Sequence, residues 1–316
     1  MASRFHGRRS GRGRRIAVLV TAITLVLIAA AVTIRLWRGS PGAAGSQPDG
    51  DVSAPGTDAS VSPLQQPGPS ADPARPPVPN RVSYDFSQPV PEREAVDIHY
   101  FDDAAFVGDS RTDGFMIYSG IGTGKNLTSN GLSVFSLEGK KALTINGEKY
   151  TLLEALALEE YGKVYLSLGI NELGYYDDEG FYKNYGKAID AIRALQPNAV
   201  IYIQGLIPLN EDRIGEYNGN KYHLTNEHLR VYNSLLKRIA EEKQVAYLDL
   251  YSEFADENDE LPSQASRDGV HLQKEYCQRW LAYLQTHTAD FKTLYPDGLP
   301  AGTDTKTALG EGSGQE

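Results

Sequence analysis

Ala104-Ala105-Phe106-Val107-Gly108-Asp109-Ser110-Arg111-Thr112-Asp113-Gly114 is the stretch on which the fold turns. A short apolar run ends on Gly-Asp-Ser, and a helix is expected to follow. That arrangement places a serine at the carboxyl end of a strand and at the start of a helix. Open α/β sheets gather their ligands at that edge, and a helix N-terminus offers unpaired N–H groups to negative charge. Ser110 is therefore the candidate nucleophile.

Outward from this stretch, strands and helices alternate. Val164-Tyr165-Leu166-Ser167-Leu168 reads as a buried strand ending at Gly169, with further strands over 200–203 and 245–249. Helices are expected over 179–195, from a Thr225 cap to about Lys243, and over 273–286 as the last. Asn146-Gly147 marks a two-residue hairpin between 142–145 and 148–151. Thr151 and Glu154 form a capping box opening a helix through about Glu160. Thr123–Ser129 reads as a polar stretch, and the segment from 204 to Thr225 as a long loop. The alternation predicts an α/β domain with a mostly parallel sheet covered on both faces.

A serine hydroxyl needs a base to take its proton, and histidine titrates in the right range. Of six histidines, His6 lies in the basic leader, and His99, His228 and His287 read as surface or packed side chains. His223, in the long loop, is a weaker alternative. His271 follows Asp268 by three residues in a turn-like segment before a helix, a spacing that lets the carboxylate orient the imidazole. Asn171, in the turn Gly169-Ile170-Asn171-Glu172, follows a central strand and could aim its amide at the same edge, as a neutral donor for an oxyanion.

These three segments resemble blocks I, III and V of the SGNH, or GDSL-like, hydrolases, and the similarity spans roughly residues 100–288. The resemblance implies a flavodoxin-like three-layer α/β/α fold. It implies Ser110, Asp268 and His271 as a catalytic triad, and an oxyanion hole formed by the N–H groups of Ser110 and Gly131 with the Asn171 amide. Two positions depart from the family pattern. Arg111 stands where the family name has leucine; it is a candidate contact for an anionic substrate group or, as the favoured reading, a structural partner of Asp113 or another acid. Glu172 stands in place of the usual aspartate after the asparagine. The implied reaction is acyl transfer from an ester, and it needs neither a metal nor an organic cofactor.

The remainder of the chain concerns where such a site would work. Residues 1–15 form a basic leader, and an uncharged apolar run covers 16–34. At 1.5 Å per residue that run would span about 28 Å, close to the hydrocarbon core of a bilayer. Six arginines precede it and two follow, which predicts a cytoplasmic N-terminus and an extracytoplasmic domain. A cleaved signal peptide, with Ala29-Ala30-Ala31 as its small residues, is the rival reading. Residues 35–83 are a Pro/Gly/Ser-rich disordered linker, 84–296 the catalytic domain and 297–316 a disordered tail. From Ser83 onward 37 Asp and Glu face 21 Lys and Arg, so the domain should bind no nucleic acid and no anionic lipid surface. The single cysteine, Cys277, excludes an internal disulfide and a thiolate metal cluster, and reads as a small buried side chain.

Taken together, the expected function is removal of O-acetyl groups from envelope carbohydrate by a membrane-anchored serine esterase. The tyrosine-rich segment Tyr175-Tyr176 to Phe181-Tyr182 and Tyr185 suits either sugar stacking or helix packing. The alternatives are an O-acetyltransferase on cell-wall glycan, a lipid or small-ester hydrolase, and a non-catalytic glycan-binding module on the same fold.

Overall fold

A computed structural model describes residues 83–299 of the 316-residue chain. The leader, the apolar run 16–34, the spacer to residue 82 and the tail from residue 300 lie outside the described residues. No helix among the described residues is long and apolar enough to cross a membrane.

The central sheet is built from β1 (Ala104–Gly108), β2 (Lys125–Thr128), β5 (Lys163–Ser167), β6 (Val200–Gln204) and β7 (Ala246–Leu248), in the order β2-β1-β5-β6-β7. Every pairing is parallel. Ranked along the chain, the sheet strands run 2-1-3-4-5, the order of flavodoxin-like doubly wound sheets. A separate two-stranded hairpin, β3 (Leu143–Ile145) and β4 (Glu148–Tyr150), turns on Asn146 and Gly147, both at positive φ (52° and 89°).

Alternate strand residues face two cores. Val107, Leu166 and Ile203 meet α2 (Leu152–Leu156), α3 (Asp178–Leu195) and α5 (Asn226–Lys243) on one face. Phe106, Tyr165 and Tyr202 meet α1 (Ser110–Tyr118) and α7 (Lys274–Thr286) on the other. Register sets these three aromatics side by side on adjacent strands. Their rings stack with centroids 5.0 Å and 4.5 Å apart and planes within 8°, each contact contributing about 0.5–1.5 kcal/mol beyond burial. Phe115 of α1 and Trp280 of α7 close that layer, 4.8 Å apart.

The structure departs from the sequence reading at five places. The polar stretch after α1 contains β2, an edge strand that buries only Leu127. The expected long loop contains α4 (Glu211–Asn218), capped by Asn210 and ended by Gly219, with Ile214 its buried residue. Two short helices follow later strands and helices: α6 (Leu250–Phe254) after β7, and α8 (Phe291–Leu294) after the helix expected to be last. The helix opened by the Thr151–Glu154 capping box stops at Leu156, where Gln196 Nε2 donates to the carbonyls of Leu156 and Glu159. Elements with one buried side chain carry almost no periodic signal.

Gly108 is where the sheet meets the nucleophile helix most closely. A Cβ there would lie 2.1 Å from Thr112 Oγ1 and 2.8 Å from the Ser167 carbonyl. Gly108→Ala is therefore expected to cost about 1–3 kcal/mol as an overpacked contact. Urea unfolding should show a lowered midpoint, and ester hydrolysis should fall because Ser110 is displaced with the helix.

Candidate active site

The three segments singled out in the sequence all emerge at the carboxyl ends of the sheet strands or pack onto that edge. Ser110 opens α1, two residues after β1, and Asp109 caps the helix by accepting from the Arg111 N–H at 2.9 Å. Asn171 follows β5, the neighbour of β1, with Gly108 in register with Ser167. Gly131 lies in the turn after β2, which is tied to the end of β1 by the Ser129 N–H donating to the Gly108 carbonyl at 3.1 Å. Gly131 is exposed at φ 67°, and its turn is held from the other side by Asn171 Nδ2 donating to the Leu132 carbonyl at 3.0 Å. One N–H of the Asn171 amide is used in this way; the amide has a second.

Asp268 and His271 sit in a loop closed by a bridge between Ser266 and Leu272. His271 Nε2 and Ser110 Oγ are 2.8 Å apart, and His271 Nδ1 and Asp268 Oδ2 are 2.7 Å apart. Asp268 Oδ1 accepts from the N–H groups of Val270 and His271, both at 2.9 Å, and from Ser266 Oγ at 3.1 Å. Partial burial pushes the Asp268 carboxyl up, but the His271 ring, the two backbone donors and the His271 charge outweigh it and hold it well below the ordinary range. An ionised Asp268 can only accept. Nδ1 therefore carries the ring proton, and Nε2 presents its lone pair to the Ser110 hydroxyl.

Arg111 turns away from a substrate role. It is 6% exposed, and its guanidinium donates to the carbonyls of Ile207 (3.0 Å) and Pro208 (3.3 Å). It makes no pair with Asp113, which accepts instead from Asn126 and Thr128. Burial pushes Arg111 down to about 10, against the charges of Asp109 and Asp268. Asp109 is pushed up to about 6 by burial, opposed by the Arg111 N–H and charge and by His271.

The carbonyls that Arg111 holds belong to a wholly buried loop, 205–210, after β6. Buried backbone groups need partners, and side chains supply most of them here. Asn233 bonds both the N–H and the carbonyl of Leu206, at 2.6 and 3.0 Å, and Asn226 does the same for Leu209, at 2.8 and 2.9 Å. The Asn210 N–H then donates to the Gly269 carbonyl at 3.0 Å. The loop thus links the helix that bears Ser110 to the turn that bears His271. Arg111→Met would leave two buried carbonyls without these donors, each costing about 1–3 kcal/mol. Denaturant unfolding should show that loss, and turnover should fall with it because His271 loses its support.

Glu172 has a part that sequence reasoning did not find. It is fully buried, and Oε1 accepts from the Val134 N–H while Oε2 has no partner among the described residues. The longer side chain reaches the 133–136 segment beyond the Gly131 turn. Burial pushes its carboxyl up to about 7, against the Val134 N–H bond and the nearby Ser133 hydroxyl. Between about pH 4.5 and 7 the folded protein keeps a proton that the unfolded chain releases, so stability falls as pH rises through this window. Glu172→Gln should remove that slope, on the order of 3 kcal/mol across the window. Urea unfolding of both proteins at pH 5 and 7.5 checks this; parallel profiles would contradict it.

Among the described residues, the other histidines stand apart from Ser110. His228 is buried, with Nδ1 2.7 Å from the Leu173 carbonyl and Nε2 2.7 Å from Asp178 Oδ1. His223 is exposed, and its carbonyl accepts from Tyr176 Oη at 3.3 Å. Cys277 is buried, as expected of a lone cysteine. No cluster of His, Cys, Asp and Glu among the described residues could hold a metal ion. A cleft of about 640 Å³ lined by Pro91, Asp249, Arg279 and His287 shares none of the site's residues.

Residues 106–278 match the sequence profile of the GDSL-like lipase/acylhydrolase family. The chain belongs to that family. Membership makes it a serine ester hydrolase and sets aside the non-catalytic module. No curated protein matches it by sequence. Among solved structures it is similar to a GDSL-like lipase from Bacteroides thetaiotaomicron, at 15% identity and a TM-score of 0.43 over 60% of this chain and 88% of that one. An acetyl xylan esterase matches at 15% identity and a TM-score of 0.40, over 57% of this chain and 96% of that one. A peptidoglycan O-acetylesterase matches at 18% identity and a TM-score of 0.39, over 52% of this chain and 45% of that one.

Proposed function

We propose that this acylhydrolase works through a Ser110-His271-Asp268 triad. The observation that carries this reading is the unbroken relay, 2.8 Å from Ser110 Oγ to His271 Nε2 and 2.7 Å from His271 Nδ1 to Asp268 Oδ2. His271 takes the hydroxyl proton as Ser110 attacks the ester carbonyl. Asp268 keeps the ring in the required tautomer and stabilises the imidazolium. The N–H groups of Ser110 and Gly131 and the free N–H of Asn171 hold the tetrahedral oxyanion. His271 then protonates the leaving alcohol. Water, activated by the same ring, releases the carboxylic acid from the acyl-enzyme and restores the Ser110 hydroxyl.

The substrate in this proposal is O-acetylated carbohydrate of the cell envelope. Support comes from the sequence: residues 16–34 as an anchor with the N-terminus cytoplasmic, a spacer over 35–83, and an acidic domain that would not cling to anionic lipid. Protease added to intact cells should remove the domain; full protection would refute an outside location.

Ser110→Ala should abolish labelling by a fluorophosphonate probe and lower turnover at least about 1,000-fold. Asp268→Asn should cost on the order of 10,000-fold, and Asn171→Ala on the order of 100-fold. Retained labelling in Ser110→Ala would move the nucleophile elsewhere. Acetate released to water should exceed acetyl moved to added glycan; the reverse balance would make the protein a transferase.

A further inference from the structure

We propose that Phe135 and Tyr175 form an aromatic ledge beside Asn171 on which a sugar ring of the acylated glycan stacks. The inference rests on the carbohydrate reading above and gives it a binding surface.

The tyrosine-rich segment divides sharply. Phe181 and Tyr185 are fully buried, whereas Tyr175 is 70% exposed. An aromatic ring left in water contributes nothing to the core, and neighbouring exposed rings mark binding surfaces. Phe135, itself 39% exposed, lies with its ring centroid 6.4 Å from that of Tyr175, at an interplanar angle of 53°. Two other exposed aromatics nearby, Tyr176 and Tyr222, already have a face covered. Tyr176 stacks on His228 at 4.3 Å, and Lys221 Nζ lies 4.7 Å over the Tyr222 ring. Phe135 and Tyr175 meet only at a tilt, which leaves both rings available.

Their position follows from the site's own bonds. Tyr175 ends a short turn, Leu173–Tyr175, that begins two residues after Asn171. Phe135 lies in the segment that follows Gly131. Two bonds clamp these segments together: Asn171 Nδ2 to the Leu132 carbonyl, and the Val134 N–H to Glu172. The far side is fixed too. A Cβ on Gly174 would fall 2.0 Å from the Tyr222 carbonyl oxygen, so the turn is pressed against the 219–223 turn, and Tyr176 Oη donates to the His223 carbonyl. The rings therefore sit on backbone braced to the segment that carries the Asn171 amide proposed to hold the oxyanion. A saccharide offers such rings its C–H face while its hydroxyls stay in water. The domain's excess of acids opposes an anionic lipid surface as the occupant.

The test compares kcat/KM on an O-acetylated envelope oligosaccharide with kcat/KM on p-nitrophenyl acetate. The Phe135→Ala, Tyr175→Ala double variant should lower the ratio of the two about 10-fold, through KM for the oligosaccharide. Tyr175→Phe should keep the ratio, because it keeps the ring. Tyr118→Ala, an exposed tyrosine at the opposite end of α1 from Ser110, should keep it as well. An unchanged ratio in the double variant, with the wild type active on the oligosaccharide, would overturn the ledge and leave the carbohydrate reading standing. Equal losses on both substrates would also overturn it, since the rings would then act only through the fold. A wild type that hydrolyses p-nitrophenyl acetate but releases no acetate from the oligosaccharide would overturn the carbohydrate reading and the ledge with it.

Discussion

The buried loop after β6 is the constraint on which the site depends. Residues 205–210 run through the interior between a strand and a helix, where no neighbouring strand satisfies most of their peptide groups. Leaving several of these groups bare would consume much of the 5–15 kcal/mol by which a domain is stable. Arg111, Asn226 and Asn233 supply the missing bonds. Because Arg111 is the residue after Ser110, and Asn210 grips the Gly269 carbonyl, the same bonds that make the loop tolerable align two segments 161 residues apart. Stability and site geometry therefore share one network, and the cation beside the serine belongs to the scaffold.

Three carboxylates surround this network, and their environments sort them. Asp268 receives the His271 ring and two backbone donors and stays ionised far into acid. Asp109 and Glu172, more deeply buried, are pushed up to about 6 and about 7. A site proposed to hold a developing oxyanion gains from limited negative charge close by. Burial of Glu172 lowers that charge near neutral pH, and the Arg111 charge offsets Asp109, which at about 6 is mostly ionised there. Glu172 and Asn171 together hold the 131–134 segment, so the position of Gly131 rests on two consecutive side chains from the loop after β5.

Much of the architecture was legible in the chain. Apolar runs ending in glycine marked β1 and β5, and amphipathic stretches with Thr225 and Thr151 caps marked their helices. Ser110 and the Asp268-His271 pair, which the structure brings within hydrogen-bond distance, stand out as candidates because their pattern is local: a serine at a strand-to-helix turn, and a carboxylate three residues before an imidazole. β2 and α4 escaped because each buries a single large apolar side chain, so neither shows a period. In sequence Arg111 suggests an acidic partner, because a charge implies a charge nearby. Backbone carbonyls, its actual partners, leave no mark in a side-chain pattern.

What the sequence determined by itself was therefore the alternation of strand and helix, and with it the sheet edge where Ser110, Asn171 and His271 emerge. These follow from periodicity, capping and turn chemistry, which act over a few residues. Only the tertiary structure decided that Nε2 of His271 faces Ser110, that Arg111 and Glu172 face inward, and that Phe135 stands beside Tyr175. Those outcomes depend on which distant peptide groups are left without partners once the chain is packed, a question no local stretch of sequence can answer.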